Sequence, residues 1–202
     1  MQLIYGTGNP AKLASMADML RGLPVEILSP AQAGLRLPEV EESGNDPLQN
    51  ARLKAQACYA AWGRPVFSCD SGLYLEGVDE GDQPGVRVRT VGGRRLDDVQ
   101  MMAHYGALAA RCGGVVAARY HNAICLIDGQ GALHERCDES LRSARFGLCA
   151  LSHARRVPGF PLDALSVDLT TGRYYYDLED ADWLTEACSE GMGFRAFFQS
   201  VL

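Results

Sequence analysis

The first twenty-two residues constrain the fold more than any other stretch. Gln2 to Gly6 forms a short run suited to a buried strand, Thr7-Gly8-Asn9 is a turn, and Pro10 opens a helical pattern. Asparagine is a favoured helix N-cap. Proline suits the first helical position, where its missing N–H costs nothing and its φ is already helical. Leu13, Met16, Ala17 and Leu20 follow at i, i+3, i+4 and i+7, which predicts one apolar helical face, and Gly22 closes it. A buried strand feeding a helix through a glycine turn is the opening of an α/β layer.

The same signals recur downstream. Val25 to Leu28 reads as a second strand, residues 29 to 46 as a Pro/Gly/acid-rich connection, and Asp46-Pro47 as another N-cap and first helical residue. Leu48, Ala51, Ala55, Cys58 and Trp62 mark the apolar face of the helix it opens. Pro65 to Cys69 is a third apolar run, ending in a turn at Asp70-Ser71-Gly72. Arg95 to Cys112 predicts a helix with Leu96, Val99, Ala103 and Ala107 on its buried side. Val115 to Asp128 reads as a strand, and Gly129-Gln130-Gly131 as a hairpin turn into Ala132 to Cys137. Leu148 to Leu151 reads as one more strand, and Phe194, Phe197, Phe198 and Val201 as the face of a terminal helix. Strands and helices mix without a clean alternation. The expected fold is therefore α/β, a mixed, twisted sheet with flanking helices, in two lobes around a central cleft, with residues 1–202 as one domain.

Composition narrows the function. A chain of 202 residues buries a core without disulfide or metal staples. A net charge of −6 argues against a nucleic-acid or anionic-membrane partner. No apolar run approaches the length of a membrane span, and the opening residues lack the pattern of a signal peptide. Seven cysteines without a C-x-x-C pair fit reduced thiols in a cytoplasmic protein rather than a disulfide framework or zinc site. Only two of the nineteen basic residues are lysines, Lys12 and Lys54.

Three constellations bear chemistry. In Thr7-Gly8-Asn9-Pro10-Ala11-Lys12 a glycine turn, a helix N-terminus and a first-turn lysine together suit a phosphate, although a plain capped helix start is as simple a reading. Glu39, Glu41, Glu42 and Asp46 precede a helix on which Asn50 and Lys54 are i, i+4 neighbours. Carboxylates of this kind bind Mg²⁺ through oxygen, or simply solvate a loop. Asp70, followed by Ser71, stands at the end of an apolar strand, where it suits a metal, a water or a turn. Tyr174-Tyr175-Tyr176 reads as a half-buried strand before an aromatic platform.

Taken in order, these motifs resemble the inosine/xanthosine triphosphate pyrophosphatase family. T-G-N-x-x-K is Thr7 to Lys12, E-[TS]-G is Glu42-Ser43-Gly44, and N-A-x-L-K-A is Asn50 to Ala55. D-D-S-G-L is similar to Cys69-Asp70-Ser71-Gly72-Leu73, with a cysteine for the first aspartate, and P-G-V-x-x-R is Pro84 to Arg89. The family's A-R-F strand looks like Ala118-Arg119-Tyr120, and G-F-G-Y-D-P is similar to Gly159 to Ala164. Against the family's K-x-x-x-S-H-R stand Ser189 and Gly193-Phe194-Arg195.

The resemblance implies hydrolysis of non-canonical purine nucleoside triphosphates (ITP, XTP, dITP) to the monophosphate and pyrophosphate. Glu42 and Asp70 would hold Mg²⁺, and Lys12 and Lys54 would clamp phosphates. The amides of Thr7, Gly8 and Asn9 would bind a phosphate oxygen, and Asp70 would orient the attacking water. Asn50 and Ser71 would be polar supports, Phe160 would stack the base, and Asp163 and Arg195 would lie at its edge. The family is usually a homodimer. The alternatives are a catalytically impaired nucleotide-binding relative, or a pyrophosphatase for another modified nucleotide.

Overall fold

The computed structural model describes the backbone of residues 1–178 and 180–202 and the side chains of residues 1–178 and 191–202. The chain forms two compact units. One comprises Met1–Ser71, His121–Arg142 and Ser189–Leu202, the other Gly72–Tyr120 and Ser143–Cys188. The elements in chain order are β1 (Gln2–Tyr5), α1 (Pro10–Met19), β2 (Glu26–Leu28), α2 (Pro47–Trp62), β3 (Val66–Leu75), β4 (Thr90–Val91), β5 (Arg94–Arg95), α3 (Asp98–Arg111), β6 (Val115–Ile127), β7 (Leu133–Arg136), β8 (Phe146–Cys149), β9 (Ser166–Val167) and α4 (Asp180–Val201). The strand order is β2-β1-β3-β6-β8-β9 with β7 on β6. This is the expected mixed α/β architecture.

In the first unit β1 pairs in parallel with β2 and with β3, in the registers Leu3↔Ile27 and Tyr5↔Phe67, while β6 and β7 form an antiparallel hairpin. Both helices that carry site residues begin as their sequences dictate. The Asn9 side chain accepts from the Ala11 and Lys12 amides ahead of Pro10, and the Asp46 side chain accepts from the Gln49 amide ahead of Pro47. α2 ends at Gly63, whose φ of 59° is the left-handed conformation that closes a helix. Tyr5 stacks on Phe67, which meets Phe198 edge-on, around a core that also contains Leu3, Met16, Leu20, Ile124, Leu126, Leu141, Phe194 and Phe197. Ala17, expected on the buried face of α1, is exposed; Met16 and Leu20 carry that face.

The second unit is built on the antiparallel β6-β8-β9 ladder and a core of Leu73, Leu75, Met101, Tyr105, Leu108, Phe146, Leu148, Leu162 and Leu165. Here α3 buries Met101, read as core from the sequence, and not the Val99, Ala103 and Ala107 stripe. Val99 is 70% exposed, and Met101, Tyr105 and Leu108 face the core. The larger side chains remove more apolar area from water, so they outweigh the valine and alanine stripe. β3 likewise does not stop at Asp70. It runs through Asp70-Ser71-Gly72 to Leu75 because the Leu73 amide donates to the Gly85 carbonyl, which keeps the backbone extended.

One close approach fixes α4 in the first unit. A Cβ at Gly193 would sit 1.9 Å from the Ser140 carbonyl oxygen, so no side chain fits there without moving the helix. The Gly193→Ala variant is expected to lose about 2–3 kcal/mol, on the order of a 5–10 °C fall in Tm, read by thermal unfolding. An unchanged Tm would show that α4 does not pack this tightly.

Candidate active site

Three segments remote in sequence meet in the first unit. The Lys54 ammonium donates to Asp70 Oδ1 at 2.6 Å and to Glu42 Oε2 at 3.1 Å. Asn50, one helical turn before Lys54, donates from Nδ2 to Asp70 Oδ2 at 3.2 Å and accepts at Oδ1 from the Gly44 amide at 2.9 Å. Asn50 is 1% exposed and Asp70 6%. The glycine of Glu42-Ser43-Gly44 is a packing requirement, because a Cβ at Gly44 would lie 2.6 Å from Asn50 Oδ1. Asn50 therefore staples the acidic loop to β3, and Lys54 bridges the two carboxylates.

The electrostatics follow from this burial. Removal from water lowers the Lys54 pKa and the nearby Asp70 and Glu42 charges raise it; the carboxylates prevail and the net shift is upward. Burial raises the Asp70 pKa, against the opposing pull of Lys54. Lys12 is half-buried, and its pKa is lowered by burial and then by repulsion from Lys54. No group among the described residues accepts a hydrogen bond from its ammonium. Cys69, in place of a carboxylate, is buried, and burial pushes its thiol up to about 12 although the Tyr5 hydroxyl hydrogen-bonds it. A thiol in that state is no nucleophile.

The turn ahead of Lys12 offers less than its sequence implies. The Thr7 amide is spent on the Tyr5 carbonyl, and the Asn9 amide on Thr7 Oγ1 at 3.2 Å. Of the three amides only that of Gly8 is uncommitted among the described residues. Because Thr7 Oγ1 accepts, its own proton stays available to donate.

Phe160 and Asp163 belong to the second unit. Phe160 is half-buried just before the short 3₁₀ turn Pro161–Leu165, and Asp163 donates its amide to the Phe160 carbonyl. The turn is buttressed by residues that the motif reading did not assign. Arg89 donates to Asp98 Oδ1 at 2.8 Å and to the Gly159 carbonyl, while the Gly159 amide donates to Asp98 Oδ2 at 3.1 Å. Those bonds, the Gly159 amide first, lower the Asp98 pKa. The final Arg of P-G-V-x-x-R was the available signal for this support; Asp98, at the start of α3, had none. The Asp163 carboxylate has no partner among the described residues, and burial raises its pKa to about 6.

Arg195, expected at the base edge, instead donates from Nη1 to the Met19 and Arg21 carbonyls at 3.0 and 2.7 Å, capping the end of α1. Ser71 is half-buried on β3 beside Asp70. Ser189 lies outside the residues whose side chains are described.

This lysine–carboxylate cluster sits inside a segment with known relatives. The Ham1 family model matches residues 3–144. The chain belongs to the Ham1 family. The Ham1 match contains Lys12, Glu42, Asn50, Lys54 and Asp70 and stops short of Phe160, Asp163 and Arg195. Its relatives include a protein named dITP/XTP pyrophosphatase from Rhodopseudomonas palustris, 31% identical over 138 residues that cover 66% of this chain and 64% of that one. Another of that name, from Erwinia tasmaniensis, is 33% identical over 59% of this chain and 57% of its own length. The chain thus spans somewhat less than two thirds of the length of these curated relatives. A solved HAM1 protein from Coxiella burnetii covers 100% of this chain and 98% of its own with a TM-score of 0.72 at 19% identity, a likeness of fold.

The charge of Asp163 carries a stability cost with a definite sign. Its folded pKa of about 6 lies above the ordinary 3.8, so the folded state binds the proton more tightly. Near pH 4 the cost is largely absent, and stability falls as pH rises through about 6. Asp163→Asn is therefore expected to raise Tm at pH 8, by up to about 3 kcal/mol of stability, and to change little at pH 4. Thermal unfolding at both pH values reads the difference, and equal shifts at both would contradict it.

Proposed function

We propose that this Ham1 protein hydrolyses non-canonical purine nucleoside triphosphates, ITP, XTP and dITP among them, to the monophosphate and pyrophosphate. The observation that carries the reading is Lys12: a half-buried ammonium without an acceptor among the described residues, beside a second lysine already balanced by two carboxylates. A ligand rich in anionic oxygen removes that imbalance, and a triphosphate with about four negative charges is such a ligand. The names of the relatives support the same choice.

The donor set fits a magnesium ion. Glu42 and Asp70 both accept from the Lys54 ammonium, so two hard ligands lie close enough to share one cation, a place that Lys54 holds here. The described residues hold no group of three His, Cys, Asp or Glu suited to a metal. Mg²⁺ commonly takes one or two carboxylates and completes its shell with phosphate and water oxygens. Bound by Glu42 and Asp70, it would supply charge neutralisation at the phosphates.

In this reading Lys12 binds a phosphate oxygen directly, and the Gly8 amide and Thr7 hydroxyl donate to another. Lys54 holds Asp70 in place and offers a second cation to the phosphates. Asp70, made more basic by burial, orients the water that attacks the α-phosphorus and accepts its proton. Asn50 fixes the second oxygen of Asp70, and Ser71 is a polar neighbour. Phe160 stacks the base, and the Asp163 carboxylate accepts from its edge. Arg195 acts on α1 and has no part in this scheme.

The whole chain serves as one catalytic domain, and the assembly we propose is a homodimer, which sedimentation velocity decides. The six described cysteines are all free, which supports a reducing compartment such as the cytoplasm. No described helix is long and apolar enough to cross a membrane.

Pyrophosphate release with Mg²⁺ across ITP, XTP, dITP and the four standard triphosphates tests the reaction. Release is expected from the first three, with Asp70→Asn reducing kcat by about 10²-fold or more. Absence of release from every substrate would remove the enzyme reading, and binding without release would establish the non-catalytic one that Cys69 favours. Lys12→Met is expected to raise the Tm of the ligand-free protein by a few degrees and to weaken tripolyphosphate binding. A fall in Tm would show that Lys12 is paired in the folded state.

A further inference from the structure

We infer that Tyr176 is a specificity-determining residue of this site: its phenol hydroxyl donates to the carbonyl of a purine lactam whose ring N–H is accepted by Asp163. The inference rests on the proposal that Phe160 and Asp163 receive the base.

The starting observation is an orphan. Tyr176 Oη is shielded from solvent and has no hydrogen-bond partner, a state it shares among the described residues only with Ser68 Oγ. Buried hydroxyls in native structures are nearly always bonded, and an exception calls for a ligand or a water. Ser68 lies on β3 in the first unit, whereas Tyr176 belongs to the same unit as Phe160 and Asp163.

The second observation is how firmly the ring is held. The Arg155 guanidinium lies 4.9 Å from its centroid, and the His153 ring lies 5.4 Å from it. His153 Nε2 pairs with Asp177 Oδ1 at 3.2 Å, one residue beyond Tyr176, and the His153 amide donates to the Ala164 carbonyl at 2.7 Å, one residue beyond Asp163. Asp163 in turn donates its amide to the Phe160 carbonyl at 3.3 Å. One hydrogen-bonded set thus links Phe160, Asp163, His153 and the turn that carries Tyr176. A clamped aromatic with a free hydroxyl is pre-organised for recognition.

The third observation is complementarity. The Asp163 carboxylate is also unpartnered among the described residues, and its charge raises the Tyr176 pKa after the larger effect of burial. An ionised carboxylate only accepts, whereas a phenol can donate as well as accept. Together they match adjacent N–H and C=O groups, as hypoxanthine and xanthine present. Adenine offers a bare ring nitrogen and an amino group at the same edge. It would leave the Asp163 carboxylate facing a ring nitrogen with no proton and the phenol with no carbonyl to donate to, and a polar site rejects an analogue by such losses.

The experiment compares kcat/KM for ITP and ATP in the wild type, Tyr176→Phe and Phe160→Ala. Tyr176→Phe is expected to lower kcat/KM for ITP by about 3- to 10-fold, chiefly through KM, and to leave ATP little changed, so the ITP/ATP ratio falls. Its Tm should be equal or higher, because the variant removes an unpaired buried hydroxyl. The ratio decides whatever the Tm. A ratio equal to that of wild type overturns the assignment of Tyr176. If Phe160→Ala weakens both substrates while Tyr176→Phe leaves the ratio intact, only Tyr176 is wrong. If Phe160→Ala affects neither substrate, the base site itself is wrong and this inference falls with it.

Discussion

The contact between Lys54 and Asp70 is the constraint on which the rest of the first unit depends. Both side chains are largely withdrawn from water, at 16% and 9% exposure, and their charged atoms are 2.6 Å apart. Deleting one partner of such a pair strands the other, at a cost of about 3–5 kcal/mol. The pair demands that α2 and β3 meet at this one point, and Asn50 extends the demand to Gly44 and the acidic loop. The parallel register does the remainder. Tyr5 lies opposite Phe67, so Thr7, two residues further on and just past the end of β1, and Asp70, three residues further along β3, advance in the same direction, and the turn delivers Lys12 nearby.

The second unit reverses this economy. Arg89, Asp98 and Gly159 satisfy one another and hold the turn rigidly. The turn then presents the Asp163 carboxylate without a partner among the described residues, and Tyr176 close by has a hydroxyl in the same condition. A fold selected for stability alone would neutralise both groups. Preorganised sites commonly keep such imbalances, because a group already satisfied by protein has nothing left for a ligand.

Two departures from the family motifs become intelligible in three dimensions. Cys69 is accommodated by the Tyr5 hydroxyl, and its thiol remains buried and uncharged beside Asp70. At Gly193 the Ser140 carbonyl occupies the space of a Cβ, so the motif serine has no room in this register. Arg195, two residues on, caps α1.

The sequence by itself determined the helix starts at Pro10 and Pro47, the βα opening, the mixed α/β class and the positions of both lysines. Each depends on bonds within a few residues, or on residue types that a phosphate site requires. Tertiary structure alone decided the extension of β3 past Asp70, the buried face of α3 and the role of Arg195. Each of those turns on a partner far along the chain: Gly85 for Leu73, the unit core for Met101 and Tyr105, and the carbonyls of α1 for Arg195. Local hydrogen bonding is written in neighbouring residues, whereas a long-range acceptor exists only after the chain has folded around it.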